Sequence, residues 1–570
     1  MIRKRRTDLD IRLAFSRYHK SARPSIYYPQ QKGTEGKRLM KPMKKSIVGG
    51  ALLLSAAGII VKVLGMLYKL PLAALLREEG MGYFNSAYTV YSFFFLLSTA
   101  GLPVAISILV SAALTHTDRG RREALRILRV TITCFALIGL TICILLVFLS
   151  EQFAAWIGNP PAAASIAAIA PALLFVCILS ALRGYFQGCG NMLPTALSQI
   201  VEAAGKLTFG ILLARWAMLR YKDASSAASF AVLGVTIGTF LALLCLLPAW
   251  IRETRRAPRI SKEEHREGAL SITKRLVKIA LPVTLSSSVM SLAGLLDLFL
   301  VLRRLTDAGY TPGVANALYG SYSGLAVTLA NMPTVLITPI ACAAVPLLSS
   351  AISRGREEIA RTIAGTALRV TVLIAAPCAV GMSLLSPQIL RLLFDDAMAE
   401  GAAPYLTLLA PSILFIALCN VSGALLQAMG KVKTPLLSMT VGAVVKLISA
   451  WFLLKERGMA GAPISTFLCY LVITALNLAA LAGEGVKITF GGIFGKSLFA
   501  ALACGATAIL GQAALESKLG DLACIPAAGL GAVVYLLLLL MLGGITRAEW
   551  RLIPGGRAVC RRLEKWGLLR

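Results

Sequence analysis

Long apolar runs separated by short polar connections set the pattern of this chain. Fourteen stretches of about 20 or more mostly apolar residues are found, with approximate limits 46–76, 83–114, 125–149, 162–183, 194–216, 226–251, 275–303, 316–350, 364–385, 402–426, 434–454, 459–482, 494–515 and 523–544. A run of about 20 apolar residues is the length that crosses a bilayer as a helix, so the pattern predicts an all-α integral membrane protein of about fourteen spans. Several spans hold proline (Pro71, Pro103, Pro282, Pro333, Pro339, Pro377 and Pro411), where kinks or tilts are expected.

The pattern also repeats. Tyr88-Thr-Val-Tyr91-Ser92 in span two returns as Tyr319-Gly-Ser-Tyr322-Ser323 in span eight, 231 residues later. Gln187, Gly190, Leu197-Ser198 and Lys206-Leu207 return as Gln427, Gly430, Leu437-Ser438 and Lys446-Leu447, 240 residues later. Two parallel six-span halves follow, with spans thirteen and fourteen added. Such halves are a transporter plan, with the substrate held between them near the midplane. The expected division is a basic cytoplasmic tail over 1–45, a first lobe over 46–251, a basic linker over 252–274, a second lobe over 275–483, the added pair over 484–546 and a second basic tail over 547–570. Residues 1–45 hold no run long enough for a signal peptide and are expected to be disordered beside anionic lipid. Met40 and Met43 stand just before span one as alternative starts, in which case part of that tail is not translated.

Composition agrees with the pattern: 57% of the residues are hydrophobic and 15% are charged, well short of the usual soluble charge content. The net charge of +31 sits between spans rather than along a nucleic-acid stripe. Arg119 to Arg122, Arg252 to Lys278, Arg354 to Arg361, Lys431 with Lys433, and Arg547 to Arg570 all fall on one side. Residues 151–161, on the other side, hold no Lys or Arg. Cytoplasmic loops carry the positive charge, so both termini are placed in the cytoplasm. Arg215, Arg220 and Lys222 are the exceptions. The twelve cysteines form no C-x-x-C pair and read as small core residues. His19, His116 and His265 lie outside the spans, which excludes a histidine relay in the membrane. There is no Walker A motif, so ATP is not the direct energy source.

The chemistry rests on charges inside the spans. Lys62 and Lys69 lie in span one. A charge at that depth costs at least ~2.5–3.5 kcal/mol. Two helical turns separate them, so they share a face, roughly 10 Å apart. This is a cationic strip for an anion; snorkelling is the other reading, easier for Lys69 than for Lys62. Under the repeat, Asp297 falls between the levels of the two lysines, as a counter-charge, a cation anchor or a structural ion pair. Glu202 and Lys206 at i, i+4 read as a self-neutralising structural pair. Lys446 has Gly442 in the equivalent position and needs another partner, with Asp297, a backbone carbonyl and the substrate as candidates. Arg183 opens the glycine-rich turn 183–194 as a hinge, an interfacial anchor or a phosphate ligand. Tyr88, Tyr91, Tyr319 and Tyr322 line a cavity or belong to the interfacial belt. No metal site is read.

Lys62-Val-Leu-Gly65 with Tyr68-Lys69, Glu79-Gly-Met-Gly82, Gly101-Leu-Pro-Val-Ala-Ile-Ser107, Arg183-Gly-Tyr-Phe-Gln-Gly188 and Asn191-Met-Leu-Pro194 resemble the sporulation protein B and MurJ branch of the MOP flippase superfamily. The resemblance runs from about Lys44 to Gly544. It implies fourteen helices in two lobes forming a V around a cationic cavity, and no enzymatic activity. It further implies outward transfer of a polyprenyl-diphosphate-linked cell-wall precursor, chiefly lipid II, by alternating access. Lys62, and Lys69 one position away, match basic residues that meet the pyrophosphate, and spans thirteen and fourteen match a pair bordering a groove for the lipid tail. The arginines that some members carry in spans two and eight are absent here, and span eleven holds Lys446 and no carboxylate, unlike the sodium site proposed for some members.

No cofactor is expected, with coupling by membrane potential, Na+ or H+. The expected partners are the lipid-linked saccharide, membrane lipid and cell-wall synthases, with the protein acting as a monomer in a bacterial plasma membrane and no nucleic acid bound. The alternatives are an O-antigen or teichuronic-type oligosaccharide flippase, a multidrug cation antiporter, which the lysines disfavour, and a membrane glycosyltransferase, which lacks external loops for catalytic carboxylates.

Overall fold

The computed structural model describes residues 36–114, 120–255, 268–487 and 495–542, apart from the side chains of 36–52, 55, 282, 283, 286 and 287. Residues 1–35 of the expected first tail, the second tail over 547–570 and most of the basic linker lie outside them. Among the described residues there are helices and no strands, because in an apolar solvent a helix satisfies its own backbone hydrogen bonds. Among the described residues, nine helical stretches are long and apolar enough to cross a membrane, or ten if the bent pair around Pro411 is counted as one.

The first half comprises α1 (Gly36–Thr99), α2 (Leu102–Leu114), α3 (Gly120–Phe148), α4 (Ser150–Ile157), α5 (Ala163–Gly188), α6 (Leu193–Tyr221) and α7 (Ala224–Arg255). Residues 36–45, expected to be disordered, are helical, and their Lys and Arg are good helix formers. α1 is two helices joined at Arg77, where φ is 55° and ψ is −165°. The break after span one is thus at Arg77 and not at Pro71. That backbone region is almost reserved for glycine, and an ion pair from Arg77 to Asp395 at 3.3 Å ties the turn to the second half. α7 starts at a turn where Ser226 N–H donates to Asp223 at 2.8 Å. That bond holds the Asp223 carboxyl below its ordinary range.

α8 (Ala269–Asp307) leads into the second half: α9 (Pro312–Gly320), a π-helical turn (Ser321–Ala326), α10 (Val327–Asn331), α11 (Thr334–Ser353), α12 (Glu357–Leu384), α13 (Ser386–Leu393), α14 (Asp396–Leu409), α15 (Ser412–Ala428), α16 (Lys433–Arg457) and α17 (Gly461–Gly483). α18 (Gly495–Leu519) and α19 (Cys524–Met541) follow. The repeat reappears in the breaks. Span two divides before Pro103, and span eight divides at Met332-Pro333, each where proline removes a backbone donor. Gly190 and Gly430 both take positive φ, 74° and 81°, in matching turns. Pro411 bends α14 against α15 by 52°.

Three hydrophobic cores show how the halves meet. One contains Leu102, Leu128, Leu182 and Leu246 from the first half. Another contains Leu348, Leu368, Val421 and Tyr535 from the second half and the added pair, and Tyr535 donates to the Leu373 carbonyl at 2.8 Å. The largest joins both halves, with Phe84, Val90 and Leu173 packed together with Leu298, Leu325 and Leu406. The halves are therefore fused at one end and have separate cores at the other, as in a V. α8 spans the division: Ile272, Leu276 and Ala280 lie in the first half's core, and Leu298 and Leu305 in the shared one. Although the second lobe is expected to open at 275, its first turns pack with the first lobe.

Candidate functional site

Small and amide side chains close the fused end. Asn159 donates from Nδ2 to Ser86 Oγ at 3.1 Å and to Asn316 Oδ1 at 2.7 Å. Asn316 donates in turn to the Glu79 carbonyl at 2.9 Å. Trp156 stacks on Phe299 with ring centroids 4.9 Å apart. Asn159 and Asn316 are 3% and 1% exposed, so this polar seam is dry and each amide depends on its partner. The backbones touch here: a Cβ on Gly320 would stand 1.8 Å from the Glu78 carbonyl oxygen, and one on Gly82 would stand 2.3 Å from Asn316 Oδ1. Gly320→Val is expected to hold this end apart. Overpacking of this kind costs about 1–3 kcal/mol, enough to shift a two-state equilibrium by roughly 5- to 150-fold. Spin labels at Asp223 and Asp396 should report a longer separation; an unchanged distance distribution would show that the end does not open there.

Beneath the seam, between the halves, lies a cavity of about 280 Å³. Lys69 from α1, Tyr88 from the same helix beyond its break, Asp297 from α8, Tyr319 and Tyr322 from α9 and the π turn, and Lys446 from α16 all line it. Among its described lining residues, Lys69 and Lys446 are the basic side chains and Asp297 the acidic one.

Lys446 Nζ lies 2.8 Å from Asp297 Oδ2. Asp297 is 6% exposed, and its Oδ1 has no hydrogen-bond partner. Lys69 Nζ is 3.5 Å from Thr328 Oγ1 and, among the described residues, has no carboxylate within ion-pair distance. Lys62 Nζ donates to Thr338 Oγ1. It is exposed and is not among the cavity-lining residues. Both lysines of α1 thus face the α10–α11 segment, but only Lys69 reaches the cavity. The π turn carries Tyr322, whose hydroxyl pairs with Thr466 Oγ1 at 2.9 Å; such turns are frequent at functional sites. Tyr91 is buried against Tyr88 and Phe95.

Arg183 belongs elsewhere. α5 runs to Gly188, so Arg183 lies in the helix and not in the turn. Its Nη2 meets Glu202 Oε2 at 2.9 Å, and its Nε donates to Ser198 at 2.9 Å. Glu202 Oε1 also holds Lys206 Nζ at 2.6 Å. The anticipated pair is therefore a triad whose three side chains are 13–22% exposed, outside the described cavity lining. A phosphate ligand is a poor description of Arg183, because its guanidinium is already occupied by a carboxylate. The repeat-related Lys206 and Lys446 take their carboxylates from different places, from the same helix in the first half and from α8 in the second.

Asn85 and Asn331, which also line the cavity, and the Asn159–Asn316 seam were not anticipated from the sequence. Their one signal there is an amide embedded in, or beside, an apolar run. Among the described residues, no cluster of three or more His, Cys, Asp or Glu side chains is placed to hold a metal.

Residues 47–352 match the family described as polysaccharide biosynthesis protein, and residues 321–452 match the MatE family. Stage V sporulation protein B of Bacillus subtilis (strain 168) is 27% identical over 530 residues, covering 91% of this chain and all of that protein. Lipid II flippase MurJ of the same organism is 25% identical over 447 residues, covering 75% of this chain and 81% of that one. The solved structure of lipid II flippase MurJ in an inward closed conformation superposes with a TM-score of 0.65 at 16% identity, covering 86% of this chain and 98% of the other.

Proposed function

Since the chain belongs to the polysaccharide biosynthesis protein family, we propose that it is a flippase and not an enzyme. Its substrate is a polyprenyl-diphosphate-linked cell-wall precursor, lipid II in the first instance, carried from the inner to the outer leaflet of a bacterial plasma membrane. The observation that carries this reading is the cavity between the halves, where Lys69 and Lys446 outnumber Asp297. A bare diphosphate in hydrocarbon is prohibitive, and charge-assisted hydrogen bonds from ammonium groups offset that cost. A similarity to relatives named for sporulation and for lipid II supports the same class.

With both termini in the cytoplasm, α1 runs outward to Arg77 and the fused end faces outside. The separated ends then admit the headgroup from the cytoplasm, and the Lys62–Thr338 contact stands on the inner side of the cavity. Lys62 meets the diphosphate at entry and hands it to Lys69 and Lys446. The sugar crosses through the cleft while the prenyl tail stays in lipid beside α18 and α19. Opening of the asparagine seam releases the headgroup outward. A membrane potential that is negative inside favours an anion in that direction by about 2.3 kcal/mol per charge per 100 mV. The MatE match raises a cation antiporter as a rival, but a cavity with a net positive charge repels cations. An oligosaccharide-lipid flippase shares the diphosphate chemistry and differs only in the sugar.

Depletion of the protein followed by mass spectrometry of polyprenyl-linked intermediates tests the assignment. Lipid II is expected to accumulate. Accumulation of another glycolipid would reassign the sugar, and no accumulation would remove the flippase reading.

A further inference from the structure

We propose that Asp297 is a proton site linked to substrate binding: the incoming diphosphate takes Lys446 from Asp297, and the released carboxylate takes up one proton. This rests on the diphosphate reading of the cavity.

Lys446 and Asp297 neutralise each other at 2.8 Å, and Lys69 leaves the cavity with one net positive charge. A diphosphate diester brings one negative charge per phosphate. The loaded site would then hold one uncompensated negative charge, and the effective penalty for a buried unpaired ion is several kcal/mol. A buried carboxylate without a partner neutralises by protonation.

The surroundings of Asp297 favour that outcome. The titratable groups that line its cavity are Lys446 on α16, Tyr319 and Tyr322 around the start of the π turn, Cys469 and Tyr470 on α17, and Lys69 and Tyr88 on α1. Of these only the two lysines carry positive charge, and both are the groups a diphosphate would engage. Asp297 Oδ1 has no hydrogen-bond partner, so one oxygen of the carboxylate is unoccupied before any substrate arrives. In the step, the Lys446 ammonium keeps its protons and exchanges a carboxylate oxygen for a phosphate oxygen. Asp297 gains a proton from water on the open side and becomes a neutral acid that donates a hydrogen bond. When the lipid leaves, the proton is given up and Asp297 recaptures Lys446.

The test is calorimetric titration of the full-length protein in detergent with a farnesyl-diphosphate-linked N-acetylglucosamine, whose diester phosphates do not titrate near neutral pH. Buffers of different ionisation enthalpy report the protons taken up. About one proton per ligand bound is expected, with affinity falling up to about tenfold per pH unit as pH rises. In Asp297→Asn the uptake and the pH slope should both vanish while binding persists. Binding without uptake by the wild type, or uptake that survives in Asp297→Asn, overturns the proposal and leaves the diphosphate reading standing. No binding by the wild type removes both. Should Asp297→Asn fail to fold, infrared difference spectra of the wild type on ligand addition give the same answer. The carboxylic acid C=O band appears if Asp297 is protonated, and its absence overturns the proposal.

Discussion

Lys69→Ala is expected to reduce translocation of a polyprenyl-diphosphate-linked sugar in reconstituted vesicles by roughly 10- to 150-fold. Lys69 is the cavity cation that, among the described residues, has no carboxylate partner; its contact is Thr328 at 3.5 Å. Its charge is therefore available to a substrate, whereas that of Lys446 is held by Asp297 until something displaces it. A hydrogen bond to a charged group is worth about 1.5–3 kcal/mol net, which gives the range quoted through the affinity relation. Lys69→Arg should retain part of the rate, since the charge stays while its geometry changes. Lys62→Ala should also lower transport, by slowing entry, because its contact with Thr338 lies outside the cavity lining. Transport by Lys69→Ala at the wild-type rate would mean that the cationic cavity is not the substrate path.

Glu202→Gln is expected to destabilise the first half by about 3–5 kcal/mol, the cost of removing one partner from a buried ion network. Glu202 holds Arg183 at 2.9 Å and Lys206 at 2.6 Å. Without it, two cations face each other in a space where none of the three side chains is more than 22% exposed. Thermal unfolding in detergent reads the loss as a lowered midpoint. Glu202→Gln combined with Lys206→Gln should recover part of it, because one of the two stranded charges is gone. A midpoint unchanged in Glu202→Gln would mean that water reaches the triad, and that its role is other than holding α5 against α6.

The two ion networks show where reading the chain succeeded and where it stopped. Glu202 and Lys206 are four residues apart on one helix, so their contact is local and the sequence contains it. Arg183 joins them from α5, nineteen residues away, and nothing in the chain's periodicity places it there. The glycines after Arg183 suggest a turn from 183, whereas the helix runs on to Gly188. Lys446 was legible as a cation lacking a carboxylate one turn before it, and Asp297 stood among its candidate partners. The choice of Asp297 required α8 and α16 to pack side by side. The Asn159–Asn316 seam and the strained turn at Arg77 left almost no trace in the hydrophobic pattern, because both are made by contacts between the two halves.

The sequence by itself determined that this is a helical membrane protein built from repeats, with charges embedded in its spans. Apolar run length, the siting of the basic loops and the recurrence of short polar signatures are all local properties of the chain. The tertiary structure alone decided which of those charges face a common space and which neutralise one another. It also decided which end of the V is shut. Those outcomes depend on the close approach of segments more than two hundred residues apart, at Gly82 against Asn316 and at Gly320 against Glu78, and no periodicity within one segment encodes the position of another.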